Sequence, residues 1–101
     1  MALVTRTSSD GKIVTVDISG RFDFSMHQEF RQVYEQNSER TTQYIISLRQ
    51  TEYMDSSALG MLLLLREHAG GDRAHIKIMH CQPEVKKILA IANFHHLFCL
   101  D

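Results

Sequence analysis

No stretch of this 101-residue chain is apolar for long enough to cross a bilayer as a helix. The longest apolar run, Leu59 to Leu65, is interrupted at Gly60 and falls far short of the ~20 residues a span needs. The N-terminus, Met1 to Arg6, shows no signal-peptide core. Neither sign of charge is in surplus: 11 Lys and Arg stand against 12 Asp and Glu, a formal charge of −1. A dedicated nucleic-acid binder needs a basic excess to neutralise phosphates, so that class is excluded. Electrostatic docking on an anionic membrane is disfavoured for the same reason. Cysteine is scarce; Cys81 and Cys99 are too few for a disulfide scaffold and read as reduced thiols, with one bridge between them the less favoured alternative. Proline is scarcer still, with Pro83 alone, so glycine and polar clusters punctuate the chain. What is present is ordinary for a globular protein: 44% apolar and 23% charged residues. The expectation is one cytoplasmic domain spanning residues 1–101, large enough to bury a core without staples.

The order of elements follows from periodicity. Leu3 to Thr7 reads as a short strand, and Ser8-Ser9-Asp10-Gly11 as a turn whose Asp-Gly pair suits a hairpin connection because both residues can take positive φ. In Lys12 to Ser19, Val14, Val16 and Ile18 alternate with Thr15, Asp17 and Ser19, which predicts a half-buried strand ended by Gly20. Ser25 reads as the N-cap of an amphipathic helix carrying Met26, Phe30, Val33 and Tyr34 on one face and ending near Asn37. Tyr44 to Leu48 is a buried strand. Ser56 to Ala69 is a helix stopped by Gly70-Gly71, with Leu62 to Leu65 read as core. Ala74 to Met79 is a strand. Pro83 opens a helix with Val85, Ile88, Leu89 and Ala92 on its apolar stripe, Asn93 terminates it, and Leu97 to Leu100 is a last short strand. The order β-β-α-β-α-β-α-β predicts an α/β fold: a mixed, mostly parallel sheet with an N-terminal β-hairpin, covering helices and right-handed crossovers.

Tyr53 to Gly60 is the densest candidate for function, because it joins a buried strand to a buried helix. Asp and Ser are preferred helix caps, and one cap residue is enough. Asp55, Ser56 and Ser57 in succession leave at least one hydroxyl over. On the residues alone, capping and function stand level.

The block Met54-Asp55-Ser56-Ser57 with Leu59-Gly60 resembles the signature of STAS domains, and more narrowly of the bacterial anti-sigma factor antagonists. Gly20-Arg21-Phe22-Asp23 is similar to a second short motif of that family, and Pro83 to Leu89 to the start of its third helix. The resemblance covers nearly the whole chain. Ala58 and Asn93 stand where glycine is common, and the chain stops at Asp101, where the family often adds a further helix. What the resemblance implies is a STAS-like fold and phosphorylation of Ser56 by an anti-sigma factor with serine kinase activity. It also implies a PP2C-type phosphatase that reverses the modification, and partner contacts through Asp23, Asp55, Ser56 and Ser57. The unmodified form would bind the anti-sigma factor and release a sigma factor. Asp23 equally suits a solvated turn or the cap of the first helix.

Other chemistry is poorly supplied. The histidines 27, 68, 75, 80, 95 and 96 include no His-x-x-x-His pair and read as surface or packing residues. Ser56 lies outside any Gly-x-Ser-x-Gly context, and no Gly-x-x-x-x-Gly-Lys loop is present, so neither a serine hydrolase nor a nucleotide enzyme is expected. No cofactor or metal is expected. The alternative function is a STAS subunit of a membrane transport complex.

Overall fold

The computed structural model describes residues 3–37 and 43–100. Five strands form one sheet in the order β1-β2-β3-β4-β5: β1 Leu3–Thr7, β2 Ile13–Phe22, β3 Gln43–Met54, β4 Ile76–Met79 and β5 Cys99–Leu100. Between them lie α1 His27–Asn37, α2 Ser56–His68 and α3 Pro83–Ile91. β1 pairs antiparallel with β2, and every later pairing is parallel. The expected hairpin joins β1 to β2, and in its turn Gly11 takes positive φ (77°) while Asp10 does not. Asp10 instead accepts hydrogen bonds from Ser8 Oγ and Lys12 N, and these hold its carboxyl below the ordinary 3.8.

The strand order never reverses, so crossovers of one hand set all three helices on one face of the sheet. Burial shows it. Val14, Val16, Ile18, Tyr44, Ile46, Leu48, Ile76 and Ile78 are buried, while their alternating neighbours Thr15, Asp17, Ile45, Ser47, Lys77 and Met79 keep partial exposure on the open face. The helices close the core with Phe30, Val33, Leu62, Leu65, Val85 and Leu89. Phe22 packs on Phe30 with ring centroids 5.5 Å apart.

Two strands run further than periodicity predicts. β2 continues past Gly20 to Phe22, and β3 continues past Leu48 to Met54. The register between them slips twice: Asp17 pairs with Ser47 but Ser19 with Gln50, and Gly20 pairs with Thr51 but Arg21 with Tyr53. Each slip puts an extra residue into β3, as a bulge does. Buried positions there recur every third residue, at Leu48, Thr51 and Met54. Gly20, at φ 77°, sits at the second slip, where its lack of Cβ permits the turn of the chain. Buried Thr51 donates its hydroxyl to the Ile18 carbonyl at 2.8 Å, which satisfies a group beside the first slip.

Two helix assignments also change. Ser25 is not the first cap; a 3-10 turn, Phe24–Met26, precedes α1, and Asp23 caps it. In α2, Leu62 and Leu65 are fully buried, but Leu63 and Leu64 are 41% and 53% exposed, so the run is only half core. Leu→Ala at a buried position typically costs ~2–5 kcal/mol; the two outer leucines lack the surrounding contacts for that. The last two strands are shorter than expected, starting at Ile76 and Cys99. Among the described residues no helix is long and apolar enough to cross a membrane.

Candidate functional site

β2 and β3 end side by side, with Phe22 paired to Met54. The next residue in each chain segment is an aspartate, so the register brings Asp23 and Asp55 to neighbouring strand ends. Both adopt extended backbone, Asp23 at φ −135°, ψ −168° and Asp55 at φ −118°, ψ −174°. Each caps the helical turn that comes after it. An unreversed strand order supplies none of the crevice that doubly wound sheets use for nucleotides. Chemistry at this end of the sheet therefore rests on exposed groups rather than on a cleft.

Asp55 Oδ1 accepts the backbone N–H of Ala58 at 3.1 Å, the standard reach of a cap to the third helical residue. That bond leaves the hydroxyls behind it unused for capping. Ser56 is the first residue of α2 and is exposed; Ser57, one step of about 100° further round the helix, is half-buried. Among the described residues neither hydroxyl has a hydrogen-bond partner. Gly60 lies one turn beyond Ser56 on the same face, and a Cβ placed there would meet nothing within 4 Å. Glycine inside a helix costs about 1 kcal/mol relative to alanine, and no packing contact requires it here. The outward leucines 63 and 64 continue this face.

The Asp23 side of the site is more tightly bonded. Asp23 Oδ1 accepts both the amide of Ser25 at 3.0 Å and its hydroxyl at 2.6 Å. Arg21 Nε approaches the other carboxylate oxygen at 3.5 Å. The Ser25 hydroxyl first, then its amide, hold the Asp23 carboxyl below its ordinary 3.8, with Arg21 adding to the effect. Arg21 also lies over the Tyr53 ring, 4.1 Å from its centroid. Phe24 is 66% exposed and stacks on His27 at 5.0 Å. The sequence reading placed Tyr53 in the Asp55 block and Arg21 in the Asp23 motif, but it did not join these two residues to each other or to Phe24 and Ser25. The available signal was Phe24 and Tyr53 themselves, large rings placed outside the apolar periodicity of their neighbours. Among the described residues, no cluster of three His, Cys, Asp or Glu gathers to hold a metal.

The arrangement offers an exposed serine hydroxyl at a helix N-terminus, next in sequence to Asp55, at the same sheet end as Asp23 and on a partly open helix face. Among the described residues no side chain is hydrogen-bonded to the Ser56 hydroxyl.

Comparison with known proteins gives a consistent result. The family described as "Mlab, STAS domain" matches residues 5–100. A STAS-domain containing protein of Pseudomonas aeruginosa (strain UCBPP-PA14) is 54% identical over 98 residues, covering 97% of each chain. The anti-sigma factor antagonist SpoIIAA in its unphosphorylated form has TM-score 0.78 at 16% identity, covering 99% of this chain and 87% of that one. Its phosphorylated Bacillus form has TM-score 0.71 at 14% identity, covering 99% and 91%. A sulfate transporter family protein from Wolinella succinogenes has TM-score 0.75 at 15% identity, covering 95% and 80%. At these identities the structural likenesses are likenesses of fold; the family match and the Pseudomonas relative go further. The chain belongs to the STAS-domain family.

Proposed function

We propose that the protein is an anti-sigma factor antagonist that works by phosphorylation-controlled partner switching in the cytoplasm. With Ser56 free it binds an anti-sigma factor, and a sigma factor is released to direct transcription. A serine kinase, the anti-sigma factor itself or an associated protein, phosphorylates Ser56, and a PP2C-type phosphatase restores it. The chain is the substrate of these enzymes and catalyses nothing itself. Asp23, Asp55 and Ser57 contribute to the partner surface around Ser56.

One observation carries this reading: Asp55 makes the cap, so the exposed Ser56 hydroxyl is left without a structural task. The structural likeness to SpoIIAA, solved both unphosphorylated and phosphorylated, supports it. A phosphate adds about −1.5 to −2 charges. At the start of α2 it meets first-turn N–H groups and the positive end of the helix dipole, a gain of ~0.3–1 kcal/mol, so the fold survives. In an interface the same dianion must be desolvated beside Asp23 and Asp55. A penalty of several kcal/mol exceeds the ~1.4 kcal/mol that makes a tenfold change in affinity.

The test is a pull-down from native cells with the purified chain, before and after phosphatase treatment. The reading expects an anti-sigma protein bound to the dephosphorylated chain alone, and one phosphate on Ser56 by mass spectrometry. The sulfate transporter family neighbour favours a second reading, a STAS subunit of a membrane transport complex. Stable recovery of a transporter ATPase, independent of phosphatase, would select that instead.

A further inference from the structure

The helix-free face of the sheet carries a concavity of about 710 Å³, within the range of small-ligand sites. Its floor includes Thr15, Ile45, Ser47 and Met79, and its two walls differ in charge. On one side Arg6 and Asp17 form an ion pair at 2.8 Å and compensate each other. On the other stands Arg49. Arg6, Arg21, Arg31 and Arg66 each reach a carboxylate; among the described residues Arg49, like the distant Arg73, reaches none, and of these two only Arg49 lines the concavity. We propose that this face binds a small oxyanion, a phosphate or carboxylate group on a compact ligand, with Arg49 as the recognising group.

The local structure holds Arg49 ready for that role. β3 outruns β4: Ser47 is its last residue paired to β4, opposite Met79, and the chain then leaves β4 at His80. His80 takes φ 59°, the left-handed region that side chains with a Cβ rarely occupy. That turn sets its imidazole against the guanidinium, with one terminal nitrogen of Arg49 at 3.2 and 3.3 Å from the two ring nitrogens. The Gln82 side-chain amide donates to the Arg49 carbonyl and pins the backbone from the same loop. Arg49 is exposed, so neither contact is needed to compensate burial. Their joint effect is to orient a planar fork of N–H donors over the concavity, and the donors not facing His80 remain for an anion. Carboxylate and phosphate match that fork in two parallel hydrogen bonds. The hydroxyls of Thr15 and Ser47 and the side chains of Ile45 and Met79 then face the body of the ligand.

The experiment is an amide NMR titration of the full chain with inorganic phosphate, and separately with propionate, each at ionic strength matched by chloride. At least one anion should give saturable shifts centred on Ser47, Arg49 and His80, with a millimolar dissociation constant. The tighter of the two identifies the ligand group as phosphate or carboxylate. Arg49→Gln should weaken binding about tenfold or more, through loss of a charge-assisted bidentate contact. His80→Gly relieves the strained backbone and so preserves the fold, yet it should weaken binding several-fold by removing the ring that positions Arg49. Shifts no larger than those from chloride would overturn the proposal, and so would an affinity unchanged in both variants.

Discussion

Asp23 and Asp55 cap neighbouring junctions in nearly the same backbone conformation, and they leave their serines in opposite states. At the first junction the Asp23 carboxylate takes up both the amide and the hydroxyl of Ser25, with Arg21 on its other oxygen. At the second, Asp55 reaches past two serines to the amide of Ala58 and touches neither hydroxyl. The first serine is a structural component of its turn; Ser56 is exposed and unoccupied. A helix cap can thus leave the hydroxyl beside it free. Because the aspartate caps the helix, a charge placed on Ser56 should leave the fold intact.

Phosphate incorporation should separate the two junctions most widely. Kinase treatment should label the wild-type chain once and Ser25→Ala equally, while Ser56→Ala takes no label. Labelling that persists in Ser56→Ala, measured by intact mass, would place the target elsewhere.

Next in size is stability. Asp55→Ala removes the cap of a helix of 13 residues and should cost about 0.5–2 kcal/mol. In a domain of this size that lowers Tm by several degrees. Asp23→Ala serves only a three-residue turn and should cost less. Equal losses in thermal denaturation would mean that the two caps do the same work.

Gly60→Ala probes the second junction from the opposite direction. The added methyl meets nothing in the chain, so the variant should gain about 0.5–1 kcal/mol of stability. If the open backbone there serves a partner's close approach, the same variant should bind the partner more weakly while melting higher.

The smallest effect is on acid stability. The bonds to the Asp23 carboxylate form only in the fold and hold its pKa below 3.8. They add stability above about pH 4, and that increment disappears as pH falls through the lowered value. Asp23→Asn should therefore show a smaller deficit from wild type in thermal scans once the pH falls well below 3.8 than it shows at about pH 5. An unchanged gap would mean that Ser25 does not stabilise the ionised form.

Legibility in the sequence followed the regularity of the pattern. Strict alternation at Val14, Val16 and Ile18 gave β2 its buried face correctly, and the order of elements led to the right sheet. The extra residues in β3 turned alternation into a three-residue spacing at Leu48, Thr51 and Met54, so its second half was invisible to a period-two reading. Four consecutive leucines carry no periodicity, and only packing separates Leu62 and Leu65 from Leu63 and Leu64. At the site, the cluster Asp55, Ser56, Ser57 was evident, but which member caps was not. Ser25 looked like a cap and is instead the partner of one. Arg49 and His80 meet across 31 residues, through pairing that no local pattern announces.

Charge on Ser56 should release a partner without unfolding the domain. Isothermal calorimetry with the anti-sigma protein recovered from cells measures this directly. It compares the unmodified chain, Ser56→Ala, Ser56→Asp and the phosphorylated chain, each checked for folding by circular dichroism. Ser56→Ala should bind like the unmodified chain, and Ser56→Asp more weakly. The phosphorylated chain should bind weakest, by well over tenfold, because it carries more charge and more acceptor oxygens. Equal affinity of the unmodified and phosphorylated chains, both folded, would contradict the switch.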